Sequence, residues 1–246
     1  TKDFDLLNID DLKKFIKKEK TIDALVFLVG LAHFKGEKND YNEFKKINVS
    51  VMEHTDQQSS SQAPQSSANQ PPQPLDKVKH VLAVASGKGG VGKSTVAANL
   101  ALSFKNMGNK VGLLDLDIYG PSLPVILGID EQPDLTQDRK LIPLEHMGMK
   151  IMSFGFISGN QTPVIWRGPL VARMTEQFFR DVIWGELDFL ILDLPPGTGD
   201  VQLTLTQKLK IDGAIIVTTH QELALADVRK SADMFKKVNT PLLGVI

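Results

Sequence analysis

The chain has 246 residues, 42% of them hydrophobic and 23% charged, which fits one or two ordinary globular domains with a sizeable core. Its formal net charge of −1 argues against a broadly basic nucleic-acid binder, and the lack of cysteine excludes a disulfide framework or a Cys-ligated metal within these residues. No basic-then-apolar leader opens the sequence, and the apolar run Ala24 to Ala32 is about half of the ~20 residues that a membrane-spanning helix needs, so a cytoplasmic protein without a membrane or nucleic-acid partner is expected.

The N-terminal segment, 1–55, reads as a small α/β piece, part or all of an adaptor domain, whose independent core would be marginal at this length. Leu12, Phe15 and Ile16 share one face of a helix over Asp10 to Lys20; Ile22 to Phe34 is more apolar, and Ile47 to Met52 alternates like a strand. The next stretch, 56–76, is a linker. Its centre, Gln57 to Pro74, holds Gln, Ser, Pro, Asn and Ala with no charge and no large apolar residue, so it cannot bury enough surface to offset the entropy of ordering and is expected to be disordered.

From 77 to 246 strand and helix signals alternate. His80 to Ala85 is a strand, and a helix runs from Ser94 to a stop at Gly108 with Val96, Ala97, Leu100, Ala101 and Phe104 on one side. Val111 to Leu116 and Ile151 to Phe156 read as strands. Leu170 to Trp184 reads as a helix, with Leu170, Met174, Phe178 and Val182 four apart. Asp188 to Leu194, Ala214 to Thr218 and Leu242 to Ile246 are strands, with a helix over Leu223 to Val238 before the last. Short continuous apolar strands separated by amphipathic helices predict an α/β fold, a mostly parallel sheet flanked by helices.

The first strand runs into Gly87-Lys88-Gly89-Gly90-Val91-Gly92-Lys93-Ser94-Thr95, which meets the pattern Gly-x-x-x-x-Gly-Lys-Ser. Glycines let backbone N–H groups approach phosphate oxygens, and the following helix turns its positive end to the same anion. Lys93 is placed to reach the β- and γ-phosphates and the Ser94 hydroxyl to ligate Mg²⁺. These residues, Gly87 to Thr95, predict a P-loop that binds a nucleoside triphosphate, with ATP expected although the loop alone does not separate ATP from GTP. A chance glycine-rich turn is the competing reading, and the strand before and helix after count against it.

Carboxylates at the carboxyl ends of neighbouring strands supply the other half of such a site. Asp115 and Asp117 end the second strand and Asp193 ends the strand Phe189-Leu190-Ile191-Leu192. Asp193 and Asp115 are candidate Mg²⁺ ligands, direct or through water, although Asp115 competes with a role that only holds its loop; Asp117 is the candidate that positions the attacking water. Pro195-Pro196-Gly197-Thr198-Gly199-Asp200 then forms a stiffened, glycine-hinged loop suited to sensing the γ-phosphate, with Asp200 alternatively the N-cap of a helix through Leu203 and Leu205.

Lys88, directly after the first glycine, makes the loop resemble the deviant Walker A class, which includes ParA-, MinD- and nitrogenase-iron-protein-like ATPases. That resemblance implies that Lys88 reaches across a homodimer to the partner's nucleotide as a catalytic lysine, and that Asp117 carries the first-switch role. A solvated loop lysine is the plain alternative. Four further stretches narrow the resemblance: Asp115-Leu-Asp117-Ile-Tyr119-Gly120-Pro121-Ser122, Trp166-Arg167-Gly168-Pro169, Leu192-Asp193-Leu194-Pro195-Pro196-Gly197-Thr198-Gly199-Asp200, and Val217-Thr-Thr219 with Gln221-Glu222. Together they resemble the Mrp/ApbC family of iron–sulfur cluster carrier ATPases over about His80 to Ile246. The resemblance implies a homodimeric, Mg²⁺-dependent ATPase that assembles a [4Fe–4S] cluster at its subunit interface and passes it to apo iron–sulfur proteins. The family's cluster ligands are a Cys-x-x-Cys pair shortly beyond the strand matching Leu242 to Ile246, so this sequence is expected to be a C-terminally truncated fragment, with the cluster held only in the full-length protein. His220 stands where the family commonly has proline and receives no role.

Two other readings remain. One is a ParA/MinD-like positioning ATPase cycling on DNA or membrane, which needs a basic surface or a C-terminal amphipathic helix. The other is a metabolic ligase on the same fold.

Overall fold

The computed structural model describes residues 75–158, 178–197 and 200–246. The expected N-terminal elements, the linker centre, the Trp166-Arg167-Gly168-Pro169 stretch, the first part of the Leu170 to Trp184 helix, and Thr198 and Gly199 lie outside the described residues.

The elements in chain order are β1 (Val78–Ser86), α1 (Lys93–Asn106), β2 (Val111–Asp115), α2 (Leu123–Leu127), β3 (Leu144–His146), β4 (Met149–Ser153), α3 (Phe154–Ser158), β5 (Leu187–Asp193), α4 (Asp200–Lys208), β6 (Gly213–Val217), α5 (Glu222–Lys237) and β7 (Leu242–Val245). The seven strands form one sheet in the order β3-β4-β2-β5-β1-β6-β7. All pairings are parallel except the edge pair β3–β4.

The apolar runs explain the sheet. Every residue of β2 and of β6 is buried, as are the last six of β1. Strands covered on both faces carry no alternating polar side, and the sequence shows none. Helix α1 lays Val96, Ala97, Leu100, Ala101 and Phe104 on the sheet, at a spacing of three and four. Phe104 stacks on Phe189 of β5 with ring centroids 4.2 Å apart, and burial of a side chain of that size contributes roughly 1.5–3 kcal/mol. Gly108, at φ 90°, turns the chain out of the helix. Helix α5 packs Val228, Ala232 and Phe235 into the core beside β6 and β7. The crossover β1–α1–β2 moves one way along the sheet and β6–α5–β7 the other. Right-handed connections therefore put α1 and α5 on opposite faces.

Two expected elements change. The strand expected over Ile151 to Phe156 is β4, Met149–Ser153, and the chain turns helical at Phe154. Ser153 causes the break: its Oγ accepts a hydrogen bond from the Gly155 N–H at 3.0 Å, a local bond that closes a turn instead of extending the strand. At the end of the expected Leu170 to Trp184 helix, residues 178–181 are helical, but Val182 bridges Leu141 and Trp184 lies beyond the helix, buried in the core. Apolar spacing continued past the point where the chain leaves the helix, because both conformations bury the same side chains.

Candidate functional site

β1 ends at Ser86, and the next six residues turn back before α1 begins at Lys93. Gly90 and Gly92 adopt φ of 77° and 91°, which other residues rarely adopt, and Gly92 forms the N-cap of α1. The α1 N-terminus carries no capping side chain, so its first N–H groups stay available to an anion. Gly87 is required for a second reason. A Cβ there would lie 2.5 Å from the Cβ of Asp227, because α5 packs directly on the loop backbone.

Lys93 is buried at the mouth of this loop. Its Nζ donates to Asp193 Oδ1 at 2.5 Å and to Ser94 Oγ at 3.3 Å. The pairing follows from the sheet: β5 lies beside β1 with Val84 opposite Asp193, so the carboxyl end of β5 reaches the loop that follows β1. Asp193 is wholly buried, and burial pushes its carboxyl up against the opposing pull of Lys93 and Ser94. Its second oxygen, Oδ2, is buried and takes no hydrogen bond. An orphaned buried carboxylate oxygen beside a P-loop hydroxyl is the donor set that a hard, oxygen-seeking cation accepts, and Mg²⁺ fits it.

Asp115 sits one strand over, opposite Asp193 in the β2–β5 register. Both of its oxygens are filled by protein donors. Oδ1 accepts from the Asp117 N–H at 3.0 Å; Oδ2 accepts from Ser153 Oγ at 2.9 Å and from the Leu123 N–H at 3.3 Å. Burial first, and the charge of Asp193 second, push the Asp115 carboxyl up to about 7. The loop that Asp115 braces carries Asp117, whose Oδ1 accepts from the Gly120 N–H at 3.2 Å.

The chain leaving β5 is tied to β1. Leu194 N–H donates to Val84 O at 3.0 Å and Gly197 N–H to Ser86 O at 2.8 Å. Gln202, on α4, is buried and its side-chain amide donates to the Pro195 carbonyl. Helix α4 begins at Asp200. Lys88 lies on the opposite flank of the loop, its Nζ donating to Gln221 Oε1 at 3.1 Å.

The structure thus brings Lys93, Ser94 and Asp193 together and sets Asp115 behind Asp117. Lys88 points to the α5 side. Among the described residues, no group of three or more His, Cys, Asp or Glu side chains is placed to hold a metal ion by itself. No helix among them is long and apolar enough to cross a membrane. Three contributors were not read from the sequence. Ser153 had a signal, a lone hydroxyl at the carboxyl end of an apolar strand. Asp227 and Gln202 had none, since their roles depend on how two helices dock.

Residues 77–246 match the ParA family model described as NUBPL iron-transfer P-loop NTPase. The chain is 55% identical over 171 residues to an iron–sulfur cluster carrier protein of Aquifex aeolicus, covering 69% of this chain and 47% of that protein. It is 48% identical over 175 residues to the iron–sulfur cluster transfer protein NUBPL of Mus musculus, covering 70% and 55%. Among solved structures, a nucleotide-binding protein from Archaeoglobus fulgidus in complex with ADP superposes with a TM-score of 0.60 at 44% identity, covering 70% of this chain and 67% of that one. The chain spans about half the length of the curated relatives it matches.

Proposed function

We infer the function from the family: the chain belongs to the NUBPL iron-transfer P-loop NTPases of the ParA class, and we propose that the protein is an ATP-hydrolysing carrier that assembles [4Fe–4S] clusters and transfers them to apo-proteins. The observation that carries the enzymatic half is Asp193, with one oxygen on Lys93, whose ammonium also reaches Ser94 Oγ, and the other without a hydrogen-bond partner. The family, and relatives that are iron–sulfur cluster carrier and transfer proteins, support the carrier half.

ATP is the substrate of the site. Backbone N–H groups of Gly87 to Ser94 and the free α1 N-terminus receive the phosphates, with Thr95 on the first turn behind them. Lys93 neutralises the β- and γ-phosphate oxygens. Mg²⁺, held by Ser94 Oγ and by Asp193 directly or through water, supplies charge neutralisation of the phosphate oxygens when bound. Asp117 orients the attacking water on a loop that Asp115 fixes through both carboxylate oxygens. We give Asp115 that bracing role in preference to metal ligation, because no oxygen of its carboxylate is left over. Lys88 serves a partner's phosphoryl group across a homodimer. The cluster itself is cargo, and its cysteine ligands belong to parts of the protein outside these residues, which contain no cysteine. Apo iron–sulfur proteins are its acceptors.

Anaerobic reconstitution of the full-length protein with iron and sulfide tests the reading. About four irons and four sulfides per dimer are expected, on the stoichiometry of one shared cubane cluster. A protein that takes up no iron, and instead sediments with DNA or liposomes only when ATP is present, is a positioning ATPase.

A further inference from the structure

Helix α5 meets the phosphate loop at two points. At Gly87 it packs on the bare backbone, where a Cβ would stand 2.9 Å from the Asp227 carbonyl carbon. At Lys88 it makes a side-chain bond, from Lys88 Nζ to Gln221 Oε1. Gln221 occupies the N-cap position of α5, with extended backbone at φ −69° and ψ 136°, but its side chain caps nothing. Instead it reaches out, in an exposed bond, to a loop 133 residues earlier. The acceptor is also neutral. A carboxylate in its place would hold the ammonium about twice as strongly.

We propose that Gln221 is a positioning residue for Lys88, a releasable rest that keeps the lysine on its own protomer until a second copy presents a phosphate. The proposal builds on the cross-dimer role of Lys88 given above. Moving the ammonium onto the partner's nucleotide breaks the bond to Gln221, so the strength of that bond opposes nucleotide-dependent dimerisation. The neutral amide sets this opposition low.

The test is nucleotide-dependent dimerisation of the full-length chain, followed by sedimentation with Mg²⁺ and a slowly hydrolysed ATP analogue. Gln221→Ala removes the rest, and the protein concentration for half-dimerisation should fall about tenfold, the combined effect of two modest net hydrogen bonds, one in each protomer. Gln221→Glu makes the rest a charged one, and the same concentration should rise by a similar factor or more. In a Lys88→Ala background both shifts should vanish. A purely structural cap would behave otherwise, changing thermal stability in either background and moving dimerisation the same way in both variants. Shifts of the same sign, or shifts that persist without Lys88, overturn the proposal. The underlying reading fails separately: Lys88→Ala with wild-type dimerisation and turnover removes Lys88 from the interface. An impaired Lys88→Ala combined with silent Gln221 variants removes only the rest.

Discussion

Lys93 Nζ lies 2.5 Å from Asp193 Oδ1, and neither group faces water. The residue proposed to bind phosphate and the residue proposed to hold the metal neutralise each other in this structure. Burying two charges is costly, and the pairing offsets part of that cost only while both partners are present. ATP and Mg²⁺ can replace the pairing with stronger ones on each side, which ties occupancy of the site to the positions of β5 and α1.

Lys93→Ala should therefore weaken ATP binding by about 10- to 100-fold, the loss of one or two charge-assisted hydrogen bonds. The nucleotide-free variant should also lose stability, because Asp193 is left buried and unpaired, up to about 3–5 kcal/mol. Its carboxyl is already pushed up by burial, so this loss should be larger at pH 8 than at pH 5. Titration calorimetry and thermal melts at the two pH values check both effects. Unchanged affinity removes Lys93 from the phosphate site.

Asp117→Asn should leave ATP affinity and stability within about twofold and ~0.5 kcal/mol, since the amide oxygen still accepts the Gly120 N–H. Hydrolysis should fall by about 10²- to 10⁴-fold, the usual cost of losing a positioned acid–base group. Single-turnover phosphate release measures it.

Gly87→Ala and Gly89→Ala should separate packing from phosphate contact. The first places a methyl 2.5 Å from Asp227 Cβ and forces α5 to move, costing about 1–3 kcal/mol. The second meets nothing within 4 Å and should leave the nucleotide-free protein at wild-type stability. Denaturant unfolding without nucleotide reads the difference directly.

Asp115 sets a pH dependence. Its carboxyl is raised from 3.8 to about 7 in the fold, so between those values the native state holds a proton that the unfolded chain has lost. Stability from this group is fully present below about pH 4 and lost as pH rises through 7, a change of order 4 kcal/mol. Asp115→Asn abolishes that titration. It is destabilising throughout, because its amide N–H₂ turns a donor toward the Leu123 N–H and the Ser153 hydroxyl. The gap between wild type and variant should be widest near pH 4 and narrow toward pH 8. A gap independent of pH contradicts the assignment.

The P-loop and its flanking strands were legible in the sequence because each signal is local: glycines at fixed offsets, a lysine beside a hydroxyl, apolar runs ending in a carboxylate. Asp193 could be located from its run of four apolar residues, but not the fact that Lys93 would lie on it, since that depends on β5 sitting beside β1 in the sheet. The bracing of Asp115 was equally hidden, for its partners Ser153 and Leu123 lie 38 and 8 residues away. The helix α2 escaped notice because five residues carry too little periodicity, and β3 because three residues carry none. Family resemblance, not spacing, suggested iron–sulfur chemistry.

Cluster transfer is the decisive measurement of the proposed carrier function. The full-length protein, loaded anaerobically with iron and sulfide and separated from free iron, is mixed with an inactive apo-enzyme that needs a [4Fe–4S] cluster, with a strong chelator present. Acceptor activity should rise as the carrier's cluster absorbance falls, despite the chelator. A loaded protein that keeps its cluster, or yields its iron only to the chelator while the acceptor stays inactive, contradicts that function.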